Sequence, residues 1–587
     1  MRTFVFIARQ GASRWSVIAL FFLLHVVLVF PVLTPNLQDI GPFDEGGYIN
    51  GGRRVAEGGL PILARSPLTE IFYALTYIPV RESPYWLIHS CTLGRIVLFG
   101  LLWLSSYQLA KRISIISSPL IMAGLLVISP ALTSLVENGS HALFTALSTF
   151  ALGQLLSFHG NKETKHLWAA SILVGLAVLT RNGEGTVLSF VFITFSVLLG
   201  ISARRVRPAL AACITPLLVI VGSYIILHVW FSGGSQLRAV RYSYMSFEQG
   251  HGWAYSDKYP GRNPYVEGQV EARRLFGTPE QNQHSIINAI RRNPLAYIHR
   301  IPRLASKERW VAPEMYGGPV SVWFFLLALG GSVELIRKKQ WMLLGILVSW
   351  PLYSLLYILL VFQPAHLLFP FPVVFCLASI GLCSVVSRSD SARERYLWSA
   401  VILGLIAMGI VREQPPALIL GAVVLLVGLW IMWIVMSRHP APEITMPSAF
   451  IFLFCMMLLV QGGFPLPKVR KLGIAPDERA GLYLKQIFRE GAPVAAYAPL
   501  IPRMAKMTYV PLAKASLPDL RSDQDLRRWM IENKLEAIYV DSGLRKYEPV
   551  TWALIEGQIG KSLEVAFTSE DGKIQLLRIT ESAMLGL

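Results

Sequence analysis

The chain has 587 residues, of which 53% are hydrophobic and only 15% are charged, and its formal net charge is +18. A soluble protein carries about 25% charged residues, so this composition excludes an ordinary soluble protein and indicates a polytopic α-helical membrane protein. On a soluble chain such a charge would suggest a nucleic-acid partner. Here membrane topology explains it, and we expect no nucleic-acid binding.

Long apolar runs recur from residue 16 to residue 462. A helix needs roughly 17–25 apolar residues to cross the hydrocarbon core, and the pattern predicts about thirteen spans. These are 16–33, 85–108, 117–135, 140–158, 167–180, 184–201, 208–231, 319–336, 341–361, 366–386, 397–411, 416–436 and 447–462.

The short loops between these spans form two alternating sets. One set is nearly free of Lys and Arg, with Arg181 and Arg412 as exceptions, and the other is basic. The positive-inside rule places the basic set in the cytoplasm, so we expect a cytoplasmic N-terminus. The long segments 34–84 and 232–318 and the tail from about 463 are then outside. The basic set is Arg2, Arg9, Arg14, Lys111, Arg112, Lys162, Lys165, Arg204, Arg205, Arg207, Arg337, Lys338, Lys339, Arg388, Arg393, Arg395 and Arg438.

All five cysteines fall inside proposed spans, so the sequence predicts neither a disulfide framework nor a cysteine zinc site. The first span lacks a small-residue cleavage site and is expected to be an uncleaved anchor.

Two outer segments interrupt a transmembrane module of residues 1–464. In the first, 34–84, the Asp44–Glu57 stretch suits a short helix that Asp44 would cap, and Ile71–Val80 is apolar but too short to span. The second, 232–318, predicts helices at 266–276 and 283–292, and a loop of this length is more often functional than a mere connector.

The composition becomes that of a soluble domain over residues 465–587. Helices are predicted at 476–490, 523–534 and 548–560, and strands at 492–498, 536–540, 562–568 and 573–579. Alternating strands and helices predict a small α/β domain, which the topology places in the periplasm.

The adjacent carboxylates Asp44 and Glu45 follow the first span by about ten residues. A charge this close to a bilayer needs a partner or a purpose. One interpretation is a helix cap beside a solvated neighbour. The other is a catalytic pair, because a hydroxyl acceptor that attacks a sugar carbon must lose its proton to a base. Of the two, Asp44 is the preferred reacting group.

Further candidates lie on the same predicted outer face. Glu137 and His141 occupy a turn before the fourth predicted span, either as a plain helix boundary or as groups that support the site. A divalent metal is an open alternative, with Asp44, Glu137 and His141 as its ligands. Arg181 is either an interfacial anchor or a ligand for an anionic group such as phosphate. His366, Arg65 and Arg81 are weaker candidates of the same kind.

Three motifs together resemble the GT-C glycosyltransferases, in particular the protein O-mannosyltransferase and lipid A aminoarabinose transferase type. The first outer segment carries Asp44-Glu45, Tyr48, Glu57-Gly58-Gly59-Leu60-Pro61 and Pro67-Leu68. The other two motifs are 179–185 (Leu-Thr-Arg-Asn-Gly-Glu-Gly) and 366–370 (His-Leu-Leu-Phe-Pro). The chain departs from the family pattern at three places. His366 replaces a basic Arg, Ser66 replaces the first residue of a Pro-Pro pair, and Asn182 replaces a Pro.

The resemblance implies a sugar donor carried on polyprenyl phosphate and a glycan, lipid or protein acceptor, met at the outer face of a bacterial inner membrane. Asp44 and Glu45 would be catalytic, and Tyr48 and Glu184 would contact substrate or support the site. Basic residues near the membrane would hold the donor phosphate, namely Arg53, Arg65, Arg81, Arg181 and His366. The alternative is a lipid or glycan transporter, which predicts ionisable groups deep within the spans, where Arg95 is one of few candidates.

Overall fold

The structure is a computed structural model of the chain. It describes residues 44–62, 66–113, 135–231, 237–258, 264–308, 319–354, 369–388, 476–512 and 522–580, with single positions between 22 and 40 and at 132 and 520. The chain divides into two compact units. The first comprises residues 1–33, 95–234 and 305–469, and the second comprises residues 34–94, 235–304 and 470–587.

Helices dominate the described part of the chain before the tail. In chain order they are α1 (Glu45–Ala56), α2 (Pro67–Tyr77), α3 (Trp86–Ile113), α4 (Gly139–Asn161), α5 (Thr164–Thr180), α6 (Asn182–Ser202), α7 (Val206–Phe231), α8 (Leu237–Ala254), α9 (Pro264–Phe276), α10 (Ile286–Arg292), α11 (Pro294–Glu308), α12 (Pro319–Arg337), α13 (Trp341–Ser349) and α14 (Phe371–Arg388).

Four helical segments of the described chain are long and apolar enough to cross a membrane. They are Trp86–Ala110, Gly139–Asn161, Asn182–Ser202 and Val206–Leu227, and they coincide with predicted spans. Shorter apolar helices cover Thr164–Thr180, Trp341–Ser354 and Phe371–Gly381. The predicted spans 16–33, 117–135, 397–411, 416–436 and 447–462 lie wholly or mostly outside the described residues.

The apolar helices of the first unit pack through small and hydroxylated residues. Ser171 of α5 donates a hydrogen bond to the Cys213 carbonyl of α7 at 2.5 Å. Between α12 and α14, Gly331 faces the Leu377 carbonyl and Gly381 faces the Leu327 carbonyl, with no room for a Cβ at either glycine. Close backbone approach through small residues is how helices gain contact in lipid, where the hydrophobic effect does not drive them together.

The tail forms an α/β domain in the second unit. Its elements are α15 (Pro476–Ile487), β1 (Pro493–Ala496), α16 (Leu500–Met504), β2 (Thr508–Pro511), α17 (Asp523–Glu532), β3 (Ala537–Val540), α18 (Ser542–Tyr547), α19 (Pro549–Glu556), β4 (Leu563–Thr568) and β5 (Gln575–Ile579). The strand order is β2-β1-β3-β5-β4. β1 is parallel to β2 and β3, while β5 is antiparallel to β3 and β4. All the elements predicted for the tail are present, and the short α16, β2 and α18 were not predicted.

The two faces of this sheet bury different clusters, because successive side chains of a strand point to opposite sides. Ala495 and Ile538 belong to the cluster that contains Leu526 and Trp529 of α17. Val494, Ala496 and Tyr539 belong to the other cluster. That cluster continues through α15 and α16 to Tyr48, Ile49, Tyr73 and Tyr77 of the first outer segment and to Trp86 and Leu87 at the start of α3.

The second outer segment has a small core of its own between α8, α9 and α10. Tyr244, Phe247 and Phe276 are fully buried there. Arg300 of α11 is also buried, donates to the Phe247 carbonyl at 2.9 Å and lies over the Phe247 ring. The predicted helices 266–276 and 283–292 correspond to α9 and α10, while α8 and α11 were not predicted.

Candidate active site

The two adjacent carboxylates at the start of α1 have opposite environments. Asp44 is exposed, whereas Glu45 is only 2% exposed. The Glu45 carboxylate accepts a hydrogen bond from the Tyr73 hydroxyl of α2 at 3.0 Å. Glu45 therefore fastens α1 to α2, and Asp44 stands at the helix start with its side chain accessible.

The structure confirms Asp44 at the N-cap position of α1 but not the predicted hydrogen bond from its side chain to the first backbone amides. Asp44 occupies the N-cap position, and its carbonyl oxygen accepts from the Tyr48 amide at 2.9 Å, but its side chain makes no capping hydrogen bond. Its backbone angles are φ −92° and ψ −71°, in the helical region. A capping side chain needs an extended backbone to reach the second or third amide, which explains the absence of the bond.

Two glycines allow α1 to lie close to α2. A Cβ on Gly51 would fall 2.5 Å from the Glu70 carboxyl carbon, and one on Gly52 would fall 2.5 Å from the Tyr73 carbonyl carbon. Larger residues at these positions would push the two helices apart. The short distance between α1 and α2 thus determines where Asp44 lies relative to α2.

Glu70 is a buried carboxylate that the sequence reasoning did not select. It is 1% exposed, accepts from the Ile62 amide at 2.8 Å and pairs with Arg54 at 3.4 Å. It thereby holds the loop that follows α1 against α2. Glu70 could have been selected from the sequence because it is a lone acidic residue directly before the apolar run 71–80.

Tyr48 and Tyr77 are anchors of the same arrangement. Tyr48 is 6% exposed and lies 3.2 Å from Ser66, hydroxyl to hydroxyl. Tyr77 donates to the Glu57 carboxylate at 3.0 Å, and burial together with this bond raises the pKa of Tyr77 to about 12. Tyr77 therefore stays protonated, and the tyrosine–carboxylate bond persists, throughout the physiological range.

The predicted phosphate ligands of the first outer segment have different surroundings. Arg53 pairs with Glu490 of the tail at 3.4 Å and with Glu57 at 3.8 Å. Arg81 is 67% exposed and pairs with the adjacent Glu82. Arg65 and His366 lie outside the described residues.

In the first unit, Arg181 joins the starts of α4 and α6. Its guanidinium pairs with Glu184, donates to the Ser140 hydroxyl at 3.1 Å and lies 5.7 Å from the centroid of the Phe369 ring. His141, 3% exposed, packs edge-on against the same ring. Both helix N-termini contribute partial positive charge here, which Glu184 offsets in part.

Glu137 and Arg95 meet near this cluster through the backbone. Glu137 is exposed, and its carbonyl accepts from Arg95 at 3.5 Å. Arg95 is 1% exposed and also donates to the Val32 carbonyl at 2.8 Å. Arg95 thus connects the chain at Val32 with the chain at Glu137. This is a structural role for the residue that the transporter alternative named as a candidate.

The predicted site residues fall into both units. Asp44, Glu45, Tyr48, Arg53 and Arg81 belong to the second unit. The first unit contains Glu137, His141, Arg181 and Glu184. Within the part of the chain that the structure describes, no three His, Cys, Asp or Glu side chains are grouped so as to hold a metal ion.

The chain is similar in structure to ArnT. The crystal structure of ArnT from Cupriavidus metallidurans in the apo state matches with a TM-score of 0.57 and 15% identity, covering 98% of this chain and 99% of that chain. The same protein bound to undecaprenyl phosphate matches with a TM-score of 0.56 and 15% identity, covering 97% and 98%. No protein-family model and no curated protein matches the chain.

This similarity covers nearly the whole of both chains, so the protein shares the fold of ArnT. With its apolar helices, it is a multi-pass helical membrane protein.

Proposed function

We propose that the protein is a membrane glycosyltransferase that moves a sugar from a polyprenyl-phosphate-linked donor to an acceptor hydroxyl or similar nucleophile. The observation that carries the proposal is the end-to-end match to ArnT, which one of the two structures shows bound to undecaprenyl phosphate. In this proposal the reaction takes place at the periplasmic face of a bacterial inner membrane, since the distribution of basic loops predicts a cytoplasmic N-terminus and an outer position for Asp44.

In this reaction Asp44 is the general base. It accepts the proton of the acceptor hydroxyl as the oxygen forms a bond to the anomeric carbon of the sugar. The bond from that carbon to the phosphate oxygen breaks, and the electron pair leaves with polyprenyl phosphate. Phosphate is a good leaving group, so its departure needs no strong acid to protonate it. Cations that stabilise its negative charge are sufficient.

The exposure of Asp44 and the burial of Glu45 support this division of roles. An acceptor can approach an exposed carboxylate, whereas the Glu45 carboxylate is buried. Arg181, Arg65, Arg81 and His366 remain the proposed phosphate ligands. Of the two that the structure describes, Arg181 is the more confined, with 17% of its side chain exposed against 67% for Arg81.

Asp44→Asn tests the proposal in purified protein with an undecaprenyl-phosphate-linked sugar as donor. Loss of the base should lower the transfer rate by about 100-fold or more. Asp523→Asn, which removes an exposed carboxylate of α17, should leave the rate within about twofold. Near-normal turnover of Asp44→Asn would exclude Asp44 as the base. Movement of labelled lipid in proteoliposomes without sugar transfer would overturn the function.

A further inference from the structure

Arg53 has a position that the phosphate-binding role does not explain. It lies on α1, and its guanidinium is 5.6 Å from the centroid of the Trp86 ring. The same group pairs with Glu490, which precedes β1 of the α/β domain, and with Glu57. Only 16% of the Arg53 side chain is exposed. Arg53 thus connects α1 to Glu490, which lies 437 positions after Arg53 in the chain.

Trp86 provides a second connection between the same two regions. It is fully buried, and its indole N–H donates to the Met504 carbonyl of α16 at 3.1 Å. Its ring packs edge-on against Tyr77, 5.3 Å between centroids. A buried indole that has found a backbone acceptor fixes both position and orientation, since losing the partner would leave a donor without water.

Trp86 and Met504 are themselves members of one continuous cluster of buried residues. Tyr48 and Ile49 of α1 belong to the same group of buried residues as Leu484 and Ala496 of the α/β domain. Apolar contact supplies most of the stability of such an arrangement, and partly exposed ion pairs add little. The Arg53–Glu490 pair is therefore better suited to setting the orientation of α1 than to holding the domain on.

We propose that the α/β domain positions the Asp44-bearing helix through Arg53, Glu490 and Trp86, and that Arg53 is a positioning residue and not a ligand of the donor phosphate. Arg53 is eight residues from Glu45, or about 12 Å along the helix. A small tilt of α1 at Arg53 thus moves the carboxylates at its start. The inference rests on the proposed function, because it assigns the α/β domain a role in that reaction.

Reversal of the charge pair separates positioning from phosphate binding. The variants are Arg53→Glu, Glu490→Arg and the two combined. In the double variant the two charges exchange places, so the attraction between positions 53 and 490 returns, while Glu57 and Lys506 then face like charges. Each single variant should lower kcat about tenfold with the donor KM unchanged within about twofold, because misplacement of the base affects the chemical step. The double variant should recover to within about threefold of the parent rate.

A phosphate ligand at Arg53 predicts a different pattern. Arg53→Glu would then raise the donor KM, Glu490→Arg would act nearly as the parent, and the double variant would stay impaired. That result would overturn the proposal. Arg479 and Glu570 form an ion pair inside the α/β domain at 2.8 Å, so their single and double reversals are the matched control and should leave kcat unchanged.

Hydrogen exchange of the α1 amides distinguishes failure of this inference from failure of the proposed function. If the parent protein transfers no sugar, the single reversals should still speed exchange over residues 45–56, and the double variant should restore slow exchange. Unchanged exchange in both single variants would overturn the positioning role, whatever the reaction proves to be.

Discussion

At the scale of single residues, burial separates two carboxylates that look equivalent in the sequence. Glu45 is enclosed and accepts a hydrogen bond from Tyr73, while its neighbour Asp44 is exposed. A buried carboxylate is tolerated only when its oxygens are bonded, so Glu45 depends on its hydrogen bond from Tyr73 of α2. The preference for Asp44 as the reacting group fits this difference, and it remains a prediction.

Tyr73→Phe tests the anchoring of Glu45. The variant keeps the ring and removes the donor to a buried carboxylate, which should lower the free energy of unfolding by about 1–3 kcal/mol. The matched control is Tyr77→Phe in the same helix, whose acceptor Glu57 is 44% exposed and regains water. That variant should lose less than about 1 kcal/mol. Chemical denaturation in detergent measures both, and equal losses would contradict the anchoring role.

At the scale of elements, α1 and α2 act as one rigid pair. Gly51 and Gly52 allow close contact, and α1 ends at Ala56, after which Gly58 takes φ +94° and the chain turns back. The left-handed conformation after a helix is most favourable for glycine, because glycine has no Cβ to clash. Glu70 then holds the returning loop through the Ile62 amide.

Glu70→Gln tests this loop attachment. The amide keeps the size of the side chain but has no charge to offer Arg54 or the Ile62 N–H. We expect a loss of about 1–2 kcal/mol in local stability, and hence roughly tenfold faster hydrogen exchange at Ile62. Glu57→Gln removes an exposed carboxylate of the same loop and should leave Ile62 unchanged. Slow exchange at Ile62 in Glu70→Gln would show that other contacts hold the loop.

At the scale of the whole molecule, the sequence predicted the helices and strands better than it predicted which of them contact one another. Apolar runs predicted α3, α4, α6 and α7, and the alternation of strands and helices predicted the α/β domain, because those signals are local. Contacts between distant segments have no local signal. Arg53 and Glu490 are 437 positions apart, so only the folded chain shows that Arg53, placed among phosphate ligands from sequence, pairs with the tail. The short elements α16 and β2 are missed because α16 contains Pro502 and β2 ends at Pro511, and proline in the sequence indicates a turn or a break.

The outer segments of the second unit should also respond to acid through His251. This residue is 1% exposed, and burial, together with nearby Arg300, lowers its pKa to about 4 from the ordinary 6.5. The unfolded chain binds a proton near pH 6.5 and the folded one does not, so stability falls as the pH drops from about 6.5 towards 4. Glu271, 3.9 Å away, opposes the shift only in part. Burial raises the pKa of Glu248, so the folded chain binds a proton at this group more readily than the unfolded chain does. Glu248 therefore favours the folded state as the pH drops, which opposes the effect of His251.

Hydrogen exchange over residues 237–304 at pH 7 and pH 5, corrected for the intrinsic rate, measures this effect. We expect the parent protein to lose on the order of 1–2 kcal/mol of protection over that interval. His251→Leu removes the titrating group from an apolar, aromatic site and should lose markedly less. The α4 to α7 helices provide the internal reference, since they lie in the other unit and should keep their protection at both pH values. An equal loss in the parent and in His251→Leu would assign the acid response to other groups.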